Sequence, residues 1–109
     1  MSLTSSQLVN ETKEKIKEVA PDEVQRSIKE GQEVHLVDIR EREEVMDGYI
    51  PNAALIPRGF LELDIEEEVS MDREAPIVLY CAGGTRSVLG ARDLEFMGYT
   101  NVRSMIGGF

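Results

Sequence analysis

The stretch "PIVLYCAGGTRSVLGARDL", residues 76–94, decides how this chain folds. It opens with an apolar run that reaches Cys81, turns through two glycines, and enters a helical pattern at Arg86. An apolar run of this length is expected of a central strand in a parallel sheet that helices cover on both faces. The sequence therefore predicts a strand, a glycine-containing turn and a helix, with the only cysteine of the chain at the turn.

The same alternation of short strands and helices fills the rest of the chain. Strands are predicted at residues 16–20, 33–39, 54–56, 76–80 and 101–105. Helices are predicted at residues 5–16, 22–30, 40–48, 58–69 and 86–97. Ser5 or Ser6 would cap the first helix. Short strands alternating with helices favour an α/β fold with a parallel sheet, in which ligands bind beyond the carboxyl ends of the strands. Asp38, Arg58 and Cys81 are expected at or just after such ends.

The composition is that of one soluble globular domain. The chain has 109 residues, of which 41% are hydrophobic and 30% are charged, and this length can bury a core without disulfides. We expect the main domain at residues 15–109, preceded by a helical extension at residues 1–14. A single cysteine cannot form an internal disulfide, which fits a reducing, cytoplasmic compartment.

The charge balance argues against two classes of partner. Twelve Lys and Arg residues against twenty-one Asp and Glu residues give a net charge of −9, which repels nucleic acid and anionic membrane surfaces. The start of the chain lacks the basic and apolar segments of a signal peptide, and no run is long enough to span a membrane. No cluster has the spacing of metal ligands, and we expect no cofactor.

Cys81 is the candidate nucleophile. The turn places its sulfur beside the amino end of the following helix, where free backbone N–H groups can reach it. A helix end alone stabilises an anion by about 0.3–1 kcal/mol, which is less than one pKa unit. A reactive thiolate therefore needs the whole loop to act together. The loop residues are Ala82, Gly83, Gly84, Thr85 and Arg86.

Four motifs in order resemble the single-domain rhodaneses, a family of sulfurtransferases. They are "LVDIREREE", "GYIPNAALIPRG", "IVLYCAGGTRS", and "MGYTNV" followed by "GGF", and together they cover nearly all of the chain. The resemblance implies a five-stranded parallel sheet flanked by helices on both faces. It also implies that Cys81 accepts a sulfane sulfur, holds it as a persulfide, and passes it to a thiophilic acceptor.

The resemblance further implies how substrates are held. The loop of residues 82–86 would hold the persulfide through its amides. Arg86 and Arg58 would hold a small anionic sulfur donor such as thiosulfate, since guanidinium groups suit oxyanions. The acceptor would be cyanide, a small thiol or a protein thiol.

Two further residues are expected to support the site. Asp38 would fix the loop by accepting amide hydrogen bonds rather than act as a base, because a thiolate needs no base. Arg40 would form a structural ion pair with one of three nearby glutamates, which are Glu41, Glu43 and Glu44.

The sequence departs from the two-domain thiosulfate enzymes of the family in two ways. Those enzymes carry basic residues in the active loop, where this chain has the neutral Ala82 and Gly83, and the stretch after the Asp-x-Arg motif is acidic here. We therefore expect a persulfide carried by a protein or small thiol to be a better donor than thiosulfate. Family members also continue past the paired glycines into a closing helix. Either the domain is truncated at Phe109 or the protein continues beyond it. Without the closing helix one sheet face would be apolar and exposed, and we expect a monomer or a weak dimer.

Other interpretations of Cys81 stay open. The chain could be a rhodanese-like module without activity that binds a partner or senses redox state. A cysteine-dependent phosphatase of the related cell-cycle type would have five residues between Cys and Arg, whereas four separate Cys81 from Arg86, and no general acid is evident. A Cys–His hydrolase would have to use His35, which lies inside a predicted strand. Finally, an unpaired cysteine can simply fill space at a strand end.

Overall fold

A computed structural model describes residues 2–109 of the chain. It contains one sheet of five strands in the order β1-β5-β4-β2-β3, and every neighbouring pair is parallel. The strands are Lys17–Val19 (β1), His35–Asp38 (β2), Ala54–Leu55 (β3), Ile77–Tyr80 (β4) and Val102–Met105 (β5). The predicted parallel sheet is confirmed, and the apolar run before Cys81 forms its central strand.

Helices cover both faces of this sheet, as the sequence predicted. They are Ser5–Lys13 (α1), Pro21–Lys29 (α2), Arg42–Val45 (α3), Leu61–Glu68 (α4) and Thr85–Phe96 (α5), with a 3-10 turn at Arg58–Phe60. Side chains alternate between the two faces of β4. Leu79 and Cys81 lie in the larger core, which includes Ile65 of α4 and Val88 of α5. Tyr80 lies in the smaller core on the other face, under α2. No helix within residues 2–109 is both long and apolar enough to cross a membrane.

A close approach fixes α5 against the larger core. A Cβ atom at Gly90 would lie 2.9 Å from Leu61 Cδ2 and 3.2 Å from Leu79 Cδ1. Both leucines are fully buried, so the helix can come this close to α4 and β4 only because residue 90 has no side chain. The amino end of α5, which meets Cys81, is thereby held in place.

The residue that caps the amino end of α1 differs from the prediction. The cap is Thr4, rather than Ser5 or Ser6. Its hydroxyl accepts from the Gln7 amide at 3.1 Å, and the Gln7 side chain accepts from the Thr4 amide at 2.8 Å. This reciprocal pair requires Gln or Glu three residues after the cap, which only Thr4 has among the three candidates.

The smaller core is open on one side. A groove of about 360 Å³ runs beside α2 and is lined mainly by apolar side chains. Two of them, Ile28 and Phe109, are 46% and 52% exposed. The Phe109 ring meets Tyr80 edge to face, with centroids 6.2 Å apart, and the Arg40 guanidinium lies 4.1 Å above it. The Phe109 amide donates to the Cys81 carbonyl at 2.7 Å. The last residues of the chain therefore cover the backbone of Cys81.

Candidate active site

The turn between β4 and α5 brings a backbone amide to the sulfur of Cys81. The Gly84 N–H donates to Cys81 Sγ at 3.1 Å. Gly84 caps α5 with φ of 87°, a left-handed conformation that glycine adopts without strain. A Cβ atom at this position would also lie 3.2 Å from the Gly107 amide. Glycine is therefore required at residue 84 both for its backbone conformation and for close packing against residue 107.

A hydroxyl group completes the surroundings of the sulfur. Cys81 Sγ lies 3.5 Å from Ser87 Oγ, and Ser87 Oγ lies 2.7 Å from Ser104 Oγ on β5. Burial raises the pKa of the Cys81 thiol. The Ser87 hydroxyl and the amides of Ser87, Gly84 and Gly83 lower this pKa by more than burial raises it. The resulting pKa lies below the ordinary value of a thiol, so the thiolate forms more readily here than on an isolated cysteine.

The loop residues differ in what they contribute to the sulfur. Gly83 and Gly84 supply amides, whereas Ala82 and Thr85 are exposed. Ser87, which the sequence analysis placed in a motif without a role, supplies both an amide and a hydroxyl. A hydroxyl residue in the first turn of a helix that follows a cysteine loop is the signal that could have identified it. That the loop binds substrate stays a prediction.

Arg86 is joined to a carboxylate that the sequence analysis did not assign to it. Its two terminal nitrogens donate to the two oxygens of Glu44 at 2.7 and 2.9 Å. The Arg86 guanidinium and the Glu41 amide lower the pKa of Glu44 to about 2. Both side chains are about one-third exposed, so the pair lies at the surface beside the loop. The positive charge expected to attract an anionic donor is thus largely neutralised.

Asp38 and Arg40 bind each other, which corrects both of their predicted partners. The Asp38 carboxylate accepts from the Arg40 amide at 2.9 Å and from its guanidinium at 2.8–3.1 Å. No amide of the Cys81 loop is recorded on Asp38 within residues 2–109. Arg40 also donates to the Gly48 carbonyl at 2.7 Å and to that of Glu44 at 3.5 Å, but to no glutamate side chain in that part of the chain. The turn after β2 brings the two residues together, so Asp38 fixes that turn and not the active loop.

Arg58 is also reassigned. Its guanidinium donates to both Glu62 oxygens at 2.9 and 3.0 Å and to Asp93 at 2.9 Å. Asp93 lies about two helical turns beyond Arg86 on α5. The Arg58 guanidinium therefore joins α5 to α4, and its charge is not free for a donor.

His35, the histidine that a Cys–His hydrolase would have to use, lies outside this site. His35 Nε2 lies 2.7 Å from a Glu33 carboxylate oxygen, on the strand where the sequence predicted it. The structure of residues 2–109 contains no group of three or more His, Cys, Asp or Glu side chains that could hold a metal ion.

Comparison with known proteins identifies the family. The family model described as Rhodanese-like domain matches residues 20–109. The chain belongs to the rhodanese family. It is 34% identical over 88 residues to YtwF of Bacillus subtilis, a protein described as a candidate sulfurtransferase, with 80% of this chain and 82% of that protein aligned. It is 30% identical over 93 residues to an Allochromatium vinosum sulfurtransferase, with 85% and 84% aligned.

A solved structure agrees over the whole chain. It is a Rhodopseudomonas palustris protein of unknown function, described as a "Possible Tyrosine Phosphatase". The two share 32% sequence identity and superpose with a TM-score of 0.86, covering 100% of this chain and 88% of the other. A rhodanese-like domain protein from Staphylococcus aureus also superposes, with a TM-score of 0.77, 32% sequence identity, and coverage of 85% of this chain and 87% of that one. This structure confirms the predicted rhodanese fold.

The ion pairs of Arg40 and Arg58 lead to a test of the stability of the fold. Arg40 and Asp38 are buried, and removing one partner of a buried pair costs about 3–5 kcal/mol. The Arg58 pairs are partly exposed, and such pairs contribute about 1 kcal/mol or less. Urea unfolding should therefore show a much larger loss of stability for Arg40→Ala than for Arg58→Ala. Equal losses would contradict a structural role specific to Arg40.

The Glu44–Arg86 pair leads to a test against pH. The unfolded chain protonates Glu44 near its ordinary pKa of 4.5, and the folded chain only near 2. The stability that the Glu44 charge contributes is therefore complete above pH 4.5 and is lost as the pH falls toward 2. The difference in unfolding free energy between the wild type and Glu44→Gln should shrink across that range. A difference that stays constant down to the lowest pH at which both chains fold would contradict the pairing.

Proposed function

We propose that this chain is a sulfurtransferase in which Cys81 carries the transferred sulfur as a persulfide. The observation that carries the proposal is the hydrogen bond from the Gly84 amide to Cys81 Sγ, beside the Ser87 hydroxyl. Together these groups stabilise a negative charge on sulfur, which both the attacking thiolate and the persulfide bear. The names of two relatives, a sulfurtransferase and a candidate sulfurtransferase, support the same activity.

The reaction proceeds through two displacements at sulfur. The Cys81 thiolate attacks the outer sulfur of the donor and forms a new S–S bond, while the donor's own bond to that sulfur breaks. The departing electron pair leaves on a thiolate, or on sulfite when thiosulfate is the donor. An acceptor thiolate or cyanide then attacks the outer sulfur of the persulfide, and Cys81 departs as a thiolate. Neither step needs an external oxidant or reductant.

The charges near the loop favour a persulfide over thiosulfate as the donor. Arg86 is neutralised by Glu44, and Arg58 by Glu62 and Asp93. The neutral Ala82 is exposed on the loop, and the whole chain carries a net charge of −9. A doubly charged oxyanion finds no unpaired guanidinium among these residues, whereas a thiol-bound persulfide needs none.

The burial of Cys81 adds a condition to the mechanism. The residue has no exposed surface, so a donor reaches the sulfur only when part of the covering chain moves. Ala82 and Gly83 are exposed on the loop, and a Cβ at Gly83 would meet no atom within 4 Å. This segment can therefore move while Gly84 remains packed, and of the groups around the sulfur only the Gly83 amide is lost.

The phosphatase alternative has less support. The description of the Rhodopseudomonas palustris protein applies to that protein. Four residues separate Cys81 from Arg86 here, and the guanidinium that would bind a phosphoryl group is paired with Glu44. A rhodanese-like module without activity remains the outcome if no donor transfers sulfur to the folded chain.

Sulfur loading of Cys81 tests the proposal directly. After incubation with a small-molecule persulfide, intact mass spectrometry should show a gain of one sulfur atom on the wild type and none on Cys81→Ser. Thiosulfate should load the wild type more slowly. Because Cys81 is the only cysteine, the signal belongs to one residue.

A relocated thiol provides the matched control. Cys81→Ser combined with Gln25→Cys places an ordinary thiol on α2, at an exposed position. This variant should load sulfur more slowly at neutral pH, since an ordinary thiol with a pKa of about 8.5 is mostly protonated there and the pKa of Cys81 is lowered. Equal loading of the two thiols, or no loading of the folded wild type by any donor, would refute the proposed function.

A further inference from the structure

A line of hydrogen bonds connects β5 to the sulfur of Cys81. Ser104 lies on β5, in register with Leu79 of the central strand, and it is fully buried. Its Oγ lies 2.7 Å from Ser87 Oγ, which lies 3.5 Å from Cys81 Sγ. Ser87 is also fully buried. Three side chains from a strand, a helix and a turn thus form one chain of two hydrogen bonds, Ser104–Ser87–Cys81.

The number of hydrogens in this chain depends on the state of the sulfur. With a thiol, the Cys81 sulfur and the two serine oxygens each carry one hydrogen, which makes three hydrogens. Only two hydrogen bonds join these three atoms. The third hydrogen finds no other acceptor, because no further hydrogen bond of either serine hydroxyl is recorded within residues 2–109. With a thiolate there are two hydrogens for two contacts: Ser104 donates to Ser87, and Ser87 donates to the sulfur.

Burial makes this difference matter. Ser87 and Ser104 have no exposed surface, so water cannot accept the surplus hydrogen. A buried donor without an acceptor is unfavourable, and hydrogen bonds to a charged acceptor are the stronger kind. When the sulfur is ionised, every hydrogen of the Ser104–Ser87–Cys81 hydrogen-bond chain therefore has an acceptor. When the sulfur is protonated, one hydrogen has none.

We propose that Ser104 is a positioning residue for Cys81: by donating to Ser87 it directs the Ser87 hydroxyl hydrogen toward the sulfur and so favours the thiolate. The proposal rests on the proposed function only in that sulfur transfer uses a thiolate. Within residues 2–109 Ser104 makes no hydrogen bond to the sulfur, so its effect passes through Ser87.

The charged groups on the neighbouring elements do not replace this role. Arg86 of α5 is paired with Glu44 of α3, and Asp38 at the end of β2 is paired with Arg40. Arg103, next to Ser104 on β5, is exposed on the opposite side of the strand. Substitution of Ser104 changes none of these charges, so a change in the titration of Cys81 reports on the hydrogen-bond chain.

The test is a titration of the thiolate in four proteins. Its ultraviolet absorbance is followed against pH in the wild type, Ser104→Ala, Ser87→Ala and the double variant, with Cys81→Ser as the baseline for tyrosine. We expect Ser104→Ala to raise the pKa of Cys81 by about one unit, a tenfold smaller thiolate fraction at pH values well below the midpoint. In the Ser87→Ala background the same substitution should cause no further shift.

Each outcome decides the proposal. If Ser104→Ala leaves the pKa unchanged in a folded chain, the proposal is wrong. An equal shift in both backgrounds would also refute it, since a purely structural effect does not need Ser87. Ser104→Thr, which keeps the hydroxyl, should titrate like the wild type. If Ser104→Ala fails to fold, Ser104→Gly also removes the hydroxyl and should show the same rise in the pKa of Cys81; an unchanged pKa in folded Ser104→Gly would refute the proposal. Because no sulfur donor is present, the result does not depend on whether the chain transfers sulfur.

Discussion

The hydrogen bond from the Gly84 amide to the Cys81 sulfur is the contact on which the rest of the site depends. It forms because β4 ends one residue before Cys81 and α5 begins one residue after Gly84. The turn between them needs the left-handed conformation of Gly84, and α5 keeps its place because Gly90 allows contact with two buried leucines. The sheet, the turn and the helix packing thus hold the amides of the turn and the Ser87 hydroxyl against one sulfur atom.

The Ser87 hydroxyl and backbone amides, rather than side-chain cations, stabilise this sulfur. The arginines near the strand ends, Arg40, Arg58 and Arg86, are each paired with carboxylates. The pairs hold α3, α4 and α5 in place and leave the surroundings of the loop close to neutral. A loop of this kind suits a donor recognised through its sulfur atoms more than one recognised through several negative charges.

The sequence predicted those features that depend on short-range patterns. The apolar run before Cys81, the glycines after it and the helical spacing beyond Arg86 are local, and each predicted its element correctly. The long-range pairings could not be read from the sequence. Arg86 and Glu44 are 42 positions apart, and Ser87 and Ser104 are 17 apart. With 21 acidic residues in the chain, composition alone cannot tell which carboxylate each arginine meets.

The central claim is that the folded loop makes Cys81 easier to ionise, and one comparison tests it most directly. The thiolate absorbance of the wild-type chain should be titrated in buffer and again in urea sufficient to unfold it. The account predicts that the midpoint in the folded chain lies below that in the unfolded chain, since the amides and the Ser87 hydroxyl outweigh burial only when the loop is formed. A folded midpoint equal to or above the unfolded one would contradict it.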